Sequence, residues 1–274
     1  MDLGDYVLLR RYNDSLYDIQ ETRKRVENRL RNTPESAKET FVPFGDLEEI
    51  EKTYTRAIEK ALQEIPIWTE WMQGVKGVGP RLGSYIIGRT MIRFESVSPD
   101  DLDIYSPIQQ GFAQKTEKGE YLIPMLRGIG AFRTISKYWA FWGLAVVDGH
   151  AQRREKGEKT GYSVQNRSAA WKLGKQFVMQ GAAYRYEYDK YKARLTEART
   201  PPEKCPQYAV NRVCKAQTDK GKKPSCKIHI HNMSMRYATK MFFKDLWINW
   251  RLLEGLEVSE PYVIAVLGHE PHRE

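Results

Sequence analysis

Apolar residues recur at three- and four-residue steps from Leu9, with Tyr12, Leu16, Ile19, Val26 and Leu30 on one face and Arg23 interrupting it. That period predicts one long amphipathic helix. The segment NTPESAKETFVPFG then breaks the pattern with two prolines and a glycine, and a second stripe runs over residues 46–65 until Pro66 ends it. The expectation is an N-terminal helical arm over residues 1–66. Its first helix pairs either with the second or with another copy of the chain as a homodimer.

Residues 67–90 hold a short apolar helix, a Gly-Val-Gly turn and a further helical run, whereas residues 91–125 are polar and turn-rich (SVSPDD, QKTEKGE). There the pattern predicts an irregular excursion, with a hairpin at most. Residues 126–145 return to an aromatic-rich helical pattern, and residues 164–198 read as one long basic helix carrying Tyr184, Tyr188 and Tyr191 at helical spacing. A Pro- and Lys-rich loop over residues 200–225 leads into an amphipathic helix at 233–253, closed by Gly255. The class is mainly α. Trp139, Trp142, Trp247 and Trp250 lie in apolar runs and are expected in the core, as are the three tyrosines.

The turn at Gly77-Val78-Gly79 sits between Lys76 and Pro80-Arg81. Such a sequence predicts a helix-hairpin-helix, in which glycines let bare backbone N–H groups approach a phosphate and the next helix aims its N-terminus the same way. Pro80 suits the first helical position, and Val78 would be the apolar plug. The alternative is a tight structural turn. Gly128-Ile129-Gly130 is a weaker second copy, whose alternative is a helix start after a loop.

Charge sharpens this picture. Lys and Arg total 44 against 35 Asp and Glu, a formal net charge of +9, which favours a polyanionic partner. Arg153, Arg154, Lys156 and Lys159 form a basic loop suited to neutralising phosphates, or else an ordinary solvated face. The N-terminus lacks the features of a signal peptide, and no stretch is long and apolar enough to span a bilayer, so a cytoplasmic protein without a membrane partner is expected.

The blocks WTEWMQGVKGVGPRLGSYIIG, FRTISKYWAFWGL, VVDGHAQRREKGEKTGYS and RYATKMFFKDLWINWRLLEGL followed by PYV occur in an order that resembles the C-terminal domain of the DEDD insertion-sequence transposases, the IS one-ten group. The likeness runs from about Leu47 onward and is interrupted over residues 91–130. It implies a helix-hairpin-helix domain over residues 67–199 that grips DNA, double-stranded DNA in the first place. The family's RuvC-like domain with four acids has no counterpart ahead of the arm, and Asp148 precedes Gly149 where the family places a serine before glycine. The expectation is therefore a DNA-binding protein without its own nuclease domain and without an assigned catalytic residue. The alternatives are an active recombinase or nuclease working through Asp148, His150, Ser163 or Ser168, a helical scaffold, and an RNA-binding protein.

Cys205, Cys214 and Cys226, with His229 or His231 after them, space as C-x8-C-x11-C-x2-H. Three thiolates and one imidazole suit a closed, structural, tetrahedral zinc site, with His229 favoured, in a knuckle over residues 200–232 ahead of the C-terminal helix and tail at 233–274. The alternative is three free thiols.

Overall fold

The computed structural model describes residues 2–34, 44–147, 150–152, 157, 160–199 and 227–258. It is mostly helical with a small three-stranded sheet. The chain divides into two compact units: Met1–Gly74 with Gly79–Ala131, and Val75–Val78 with Phe132 onward. This division differs from the one drawn from the sequence, because the arm and the 91–130 segment belong to one unit.

In the first unit, α1 spans Leu3–Arg31. It starts ahead of the predicted stripe because Asp2 and Asp5 form a reciprocal capping box, each backbone N–H bonded to the other's carboxylate at 2.9 and 3.0 Å. Its buried face is Val7, Leu9, Asn13, Leu16 and Gln20. α2 (Phe44–Leu62) packs along it with Ile58 and Leu62 fully buried, and Tyr54 meets Tyr12 edge to face at 6.0 Å. The break at Arg23 is thereby explained, since its Nε lies 2.5 Å from Glu51 of α2. Of the two expected pairings, α1 makes the one within the chain.

α3 (Pro66–Glu70) buries Ile67 and Trp68, and α4 (Pro80–Met91) packs against α1 and α2 through small residues. A Cβ at Gly83 would stand 2.3 Å from the Trp68 ring, and one at Gly88 3.3 Å from Arg10 Cβ. Asn13 Nδ2 donates to Ser84 Oγ at 2.7 Å, so the buried amide of α1 is satisfied by the small polar residue of α4.

The segment expected to be irregular is ordered. α4 runs into β1 (Ile92–Val97), which pairs antiparallel with β3 (Tyr121–Leu126), Ile92 opposite Leu126 and Val97 opposite Tyr121. β2 (Gln114–Lys115) adds to the other side of β3, giving the order β1-β3-β2. Between β1 and β2 lie a 3-10 turn at Pro99–Ile104 and α5 (Pro107–Gly111), the latter capped by Ser106 with Gln109.

In the second unit, α6 (Ile135–Phe141) is followed by the two-residue strands β4 (Val146–Val147) and β5 (His150–Ala151), then α7 (Val164–Gln180), α8 (Ala183–Arg199) and α9 (Lys227–Leu253). The single helix expected over 164–198 is two, because Gly181 and Ala182 both take positive φ, 78° and 72°. The bend lets α7 and α8 each pack on α9. Trp142 stacks on Phe243 at 4.7 Å, Phe177 contacts Phe242 and Tyr184, and Trp247 is buried with its Nε1 donating to the Phe132 carbonyl at 2.7 Å. Tyr184 and Tyr188 are core, as expected. Tyr191 is half-buried and stacks flat on Tyr237.

Candidate nucleic-acid interface

The Gly-Val-Gly turn has two glycines with different physical reasons. Val78 N–H closes a turn onto the Val75 carbonyl at 3.0 Å, and Gly77 supplies φ of 99° in that turn. A Cβ on Gly77 would also come within 3.1 Å of the Phe177 ring and 3.5 Å of the Gln176 carbonyl carbon. Bare backbone at Gly77 is therefore demanded by the packing of Val75–Val78 on α7. Val78 is buried as the expected plug, and Lys76 is exposed.

Gly79 is different. It is the N-cap of α4 with ordinary extended angles, φ −81° and ψ 168°, and nothing lies within 4 Å of where its Cβ would stand. Its carbonyl accepts from Gly83 N–H at 2.9 Å, and Pro80 occupies the first helical position without an N–H. Among the described residues no group accepts from the backbone N–H of Gly79, Arg81 or Leu82. The positive end of a 12-residue helix is thus left uncapped. The Arg81 side chain, expected at the phosphate, instead donates to Gln20 of α1, which in turn donates to Glu51 at 3.2 Å.

The second glycine pair lies at the opposite end of α4. Arg127 and Gly128 donate backbone N–H bonds to the Met91 carbonyl at 2.7 and 3.4 Å, and the Arg127 guanidinium bonds the carbonyls of Thr90 and Arg89. Ile129 is fully buried, and Gly128-Ile129-Gly130 leads into a 3-10 turn, Ile129–Ala131, with α6 starting only after the Thr134 cap. A helix C-terminus carries negative partial charge, so this segment serves as a cap rather than a second phosphate cradle.

Arg153, Arg154, Lys156, Lys159 and Asp148 lie outside the described residues, as do Cys205, Cys214 and Cys226. His229 lies half-buried on α9. The alternative ligand His231 shares a 2.7 Å hydrogen bond through Nδ1 with the Tyr188 hydroxyl, and burial, with the charge of Lys192, pushes its pKa down. Among the described residues no three His, Cys, Asp or Glu side chains gather as metal ligands. Ser163 caps α7, accepting from Asn166 N–H at 3.2 Å, and Ser168 is exposed.

A cluster that the sequence reading missed lies in the second unit. Arg236 of α9 lies within electrostatic range of Arg167 on α7 and of Lys240 one turn further along α9, and among the described residues none of the three has a carboxylate in ion-pair range. Arg236 donates to the Ala145 carbonyl at 2.8 Å while its Nε is buried with no partner among the described residues. Arg167 donates to the Gln152 carbonyl at 2.5 Å and lies over the Tyr162 ring. The Lys240 ammonium sits 4.0 Å above the Trp139 ring, whose Nε1 donates to the Lys240 carbonyl at 3.0 Å. Burial, reinforced by Arg236, brings Lys240 down to about 8. Burial and the neighbouring Arg167 bring Arg236 down to about 10. The i,i+4 pair of cations in an otherwise apolar stretch of α9 was the available signal, hidden because amphipathic helices ordinarily carry lysines on a solvated face.

No helix among the described residues is long and apolar enough to cross a membrane. Comparison with known protein families, with curated proteins and with solved structures gives no match for this chain.

Proposed function

We propose that the protein binds the sugar-phosphate backbone of double-stranded DNA, with the N-terminus of α4 taking a phosphate. The observation that carries this is Gly79, a glycine that neither strain nor packing requires, next to backbone N–H groups without internal acceptors. A phosphate at that position would satisfy Gly79, Arg81 and Leu82 together and meet the positive end of the helix dipole. Exposed Lys76 lies three residues earlier in the chain, and the net charge of +9 favours approach of a polyanion. The resemblance to transposase C-terminal domains points the same way. The role is binding; no residue is assigned to cleavage.

Fluorescence anisotropy with equal-length duplex DNA, single-stranded DNA and structured RNA over a salt series tests this reading. The duplex should bind most tightly, and its affinity should fall linearly with log salt concentration, with a slope of about −0.9 per phosphate contact. Tighter binding of RNA at every salt concentration, or a salt-independent affinity, would overturn it.

Zinc held by Cys205, Cys214, Cys226 and His229 is a separate proposal that rests on the spacing of these donors. Protein purified without added metal should carry about one zinc per chain, and Cys214→Ser should lose it. Metal-free protein with three freely titrating thiols would refute the site.

A further inference from the structure

We infer that Arg167, Arg236 and Lys240 form a second anion site, one that takes a phosphate group next to the β4–β5 hairpin. The two arginines bond the carbonyls of Ala145 and Gln152, the residues that directly precede and follow that hairpin. Each guanidinium has five N–H donors, so a single carbonyl leaves most of them to be satisfied. Lys240 has three donors and an aromatic face beneath it.

Partly buried cations ordinarily have carboxylate partners, because desolvating a charge without compensation is costly. Here Arg236 lies within electrostatic range of both Arg167 and Lys240, and among the described residues none of the three has a carboxylate in ion-pair range. The rings of Trp139 and Tyr162 offset part of that cost. The orphaned, buried Nε of Arg236 remains. A tetrahedral oxyanion would supply acceptors to the guanidinium fork and the ammonium and cancel their mutual repulsion. Phosphate chemistry fits better than carboxylate because three separate donor groups need acceptors pointing in different directions. The inference rests on the DNA reading only for the source of the phosphate, a backbone phosphodiester rather than a free ion.

The test uses the full chain and the variants Lys240→Met and Lys240→Arg, with inorganic phosphate in a thermal-unfolding series at matched ionic strength and a DNA duplex in anisotropy. The parent should gain thermal stability in phosphate relative to chloride. Lys240→Met removes a poorly solvated charge while keeping the length of the side chain, so its melting temperature without phosphate should rise by about 2–4 °C. It should also lose the response to phosphate and bind the duplex about fivefold more weakly. Lys240→Arg should retain both. A merely structural lysine would show the opposite sign, with Lys240→Met melting lower and still responding to phosphate, and that result would overturn the site. If the parent binds the duplex and Lys240→Met binds both duplex and phosphate equally well, the site falls while the DNA reading stands. If the parent ignores duplex yet loses its phosphate response in Lys240→Met, the site stands as one for a small anion and the DNA reading falls.

Discussion

Gly174→Ala is expected to destabilise the protein by about 2 kcal/mol or more, although Ala in place of Gly inside a helix ordinarily stabilises by about 1 kcal/mol. Gly174 lies in the interior of α7, where a Cβ would stand 2.5 Å from Thr239 Oγ1, 2.8 Å from Met235 Cγ and 3.2 Å from the Met235 carbonyl oxygen of α9. The methionine side chain can yield. The threonine hydroxyl is buried and bonded to that same carbonyl at 2.8 Å, and the carbonyl belongs to helix backbone, so relief requires α9 to move away from α7. That movement would loosen the aromatic packing of Phe177 on Phe242. Urea unfolding of Gly174→Ala beside Gly45→Ala reads the effect, since nothing lies within 4 Å of a Cβ on Gly45. Equal stability of the two variants would mean that the helices do not approach this closely.

Gly79→Asp separates binding from folding. The extended angles of Gly79 suit an N-cap aspartate, which would accept from the first-turn N–H groups and occupy the place proposed for a phosphate. Stability should stay within about 0.5 kcal/mol of the parent or rise. Duplex affinity should fall about tenfold or more, because a fixed carboxylate both fills the donors and repels the phosphodiester. A substitution at Gly77 cannot serve for this purpose, since its positive φ and its contact with Phe177 tie it to the fold. Folded Gly79→Asp that binds duplex like the parent would remove α4 from the interface.

Helix positions were readable where one face repeats over several turns, as in α1, α2 and α9, because burial of a stripe against any apolar partner leaves the same local period. The core tryptophans Trp142, Trp247 and Trp250 followed from the same logic, whereas Trp139, expected with them, is only half-buried. The sheet was not readable. β3 contains Pro124, which argues against a strand, and β1 is only partly buried, so neither has the alternation of a covered strand. The helix break at Gly181 was equally hidden, since the apolar spacing continues through it and only packing of both halves on α9 distinguishes two helices from one.

The sequence alone determined that this chain is mainly helical, strongly basic and equipped with a glycine turn ahead of a helix, because composition and periodicity are local properties. Tertiary structure decided what each glycine and each cation is for. Gly77 answers to Phe177, about a hundred residues away along the chain, Gly128 to the end of α4, and Arg81 to Gln20. Gly79, by contrast, keeps open space beside uncapped donors. The Arg167, Arg236 and Lys240 cluster likewise exists only once α7 and α9 are packed together, since whether a charge has a partner depends on groups that approach through space and not along the chain.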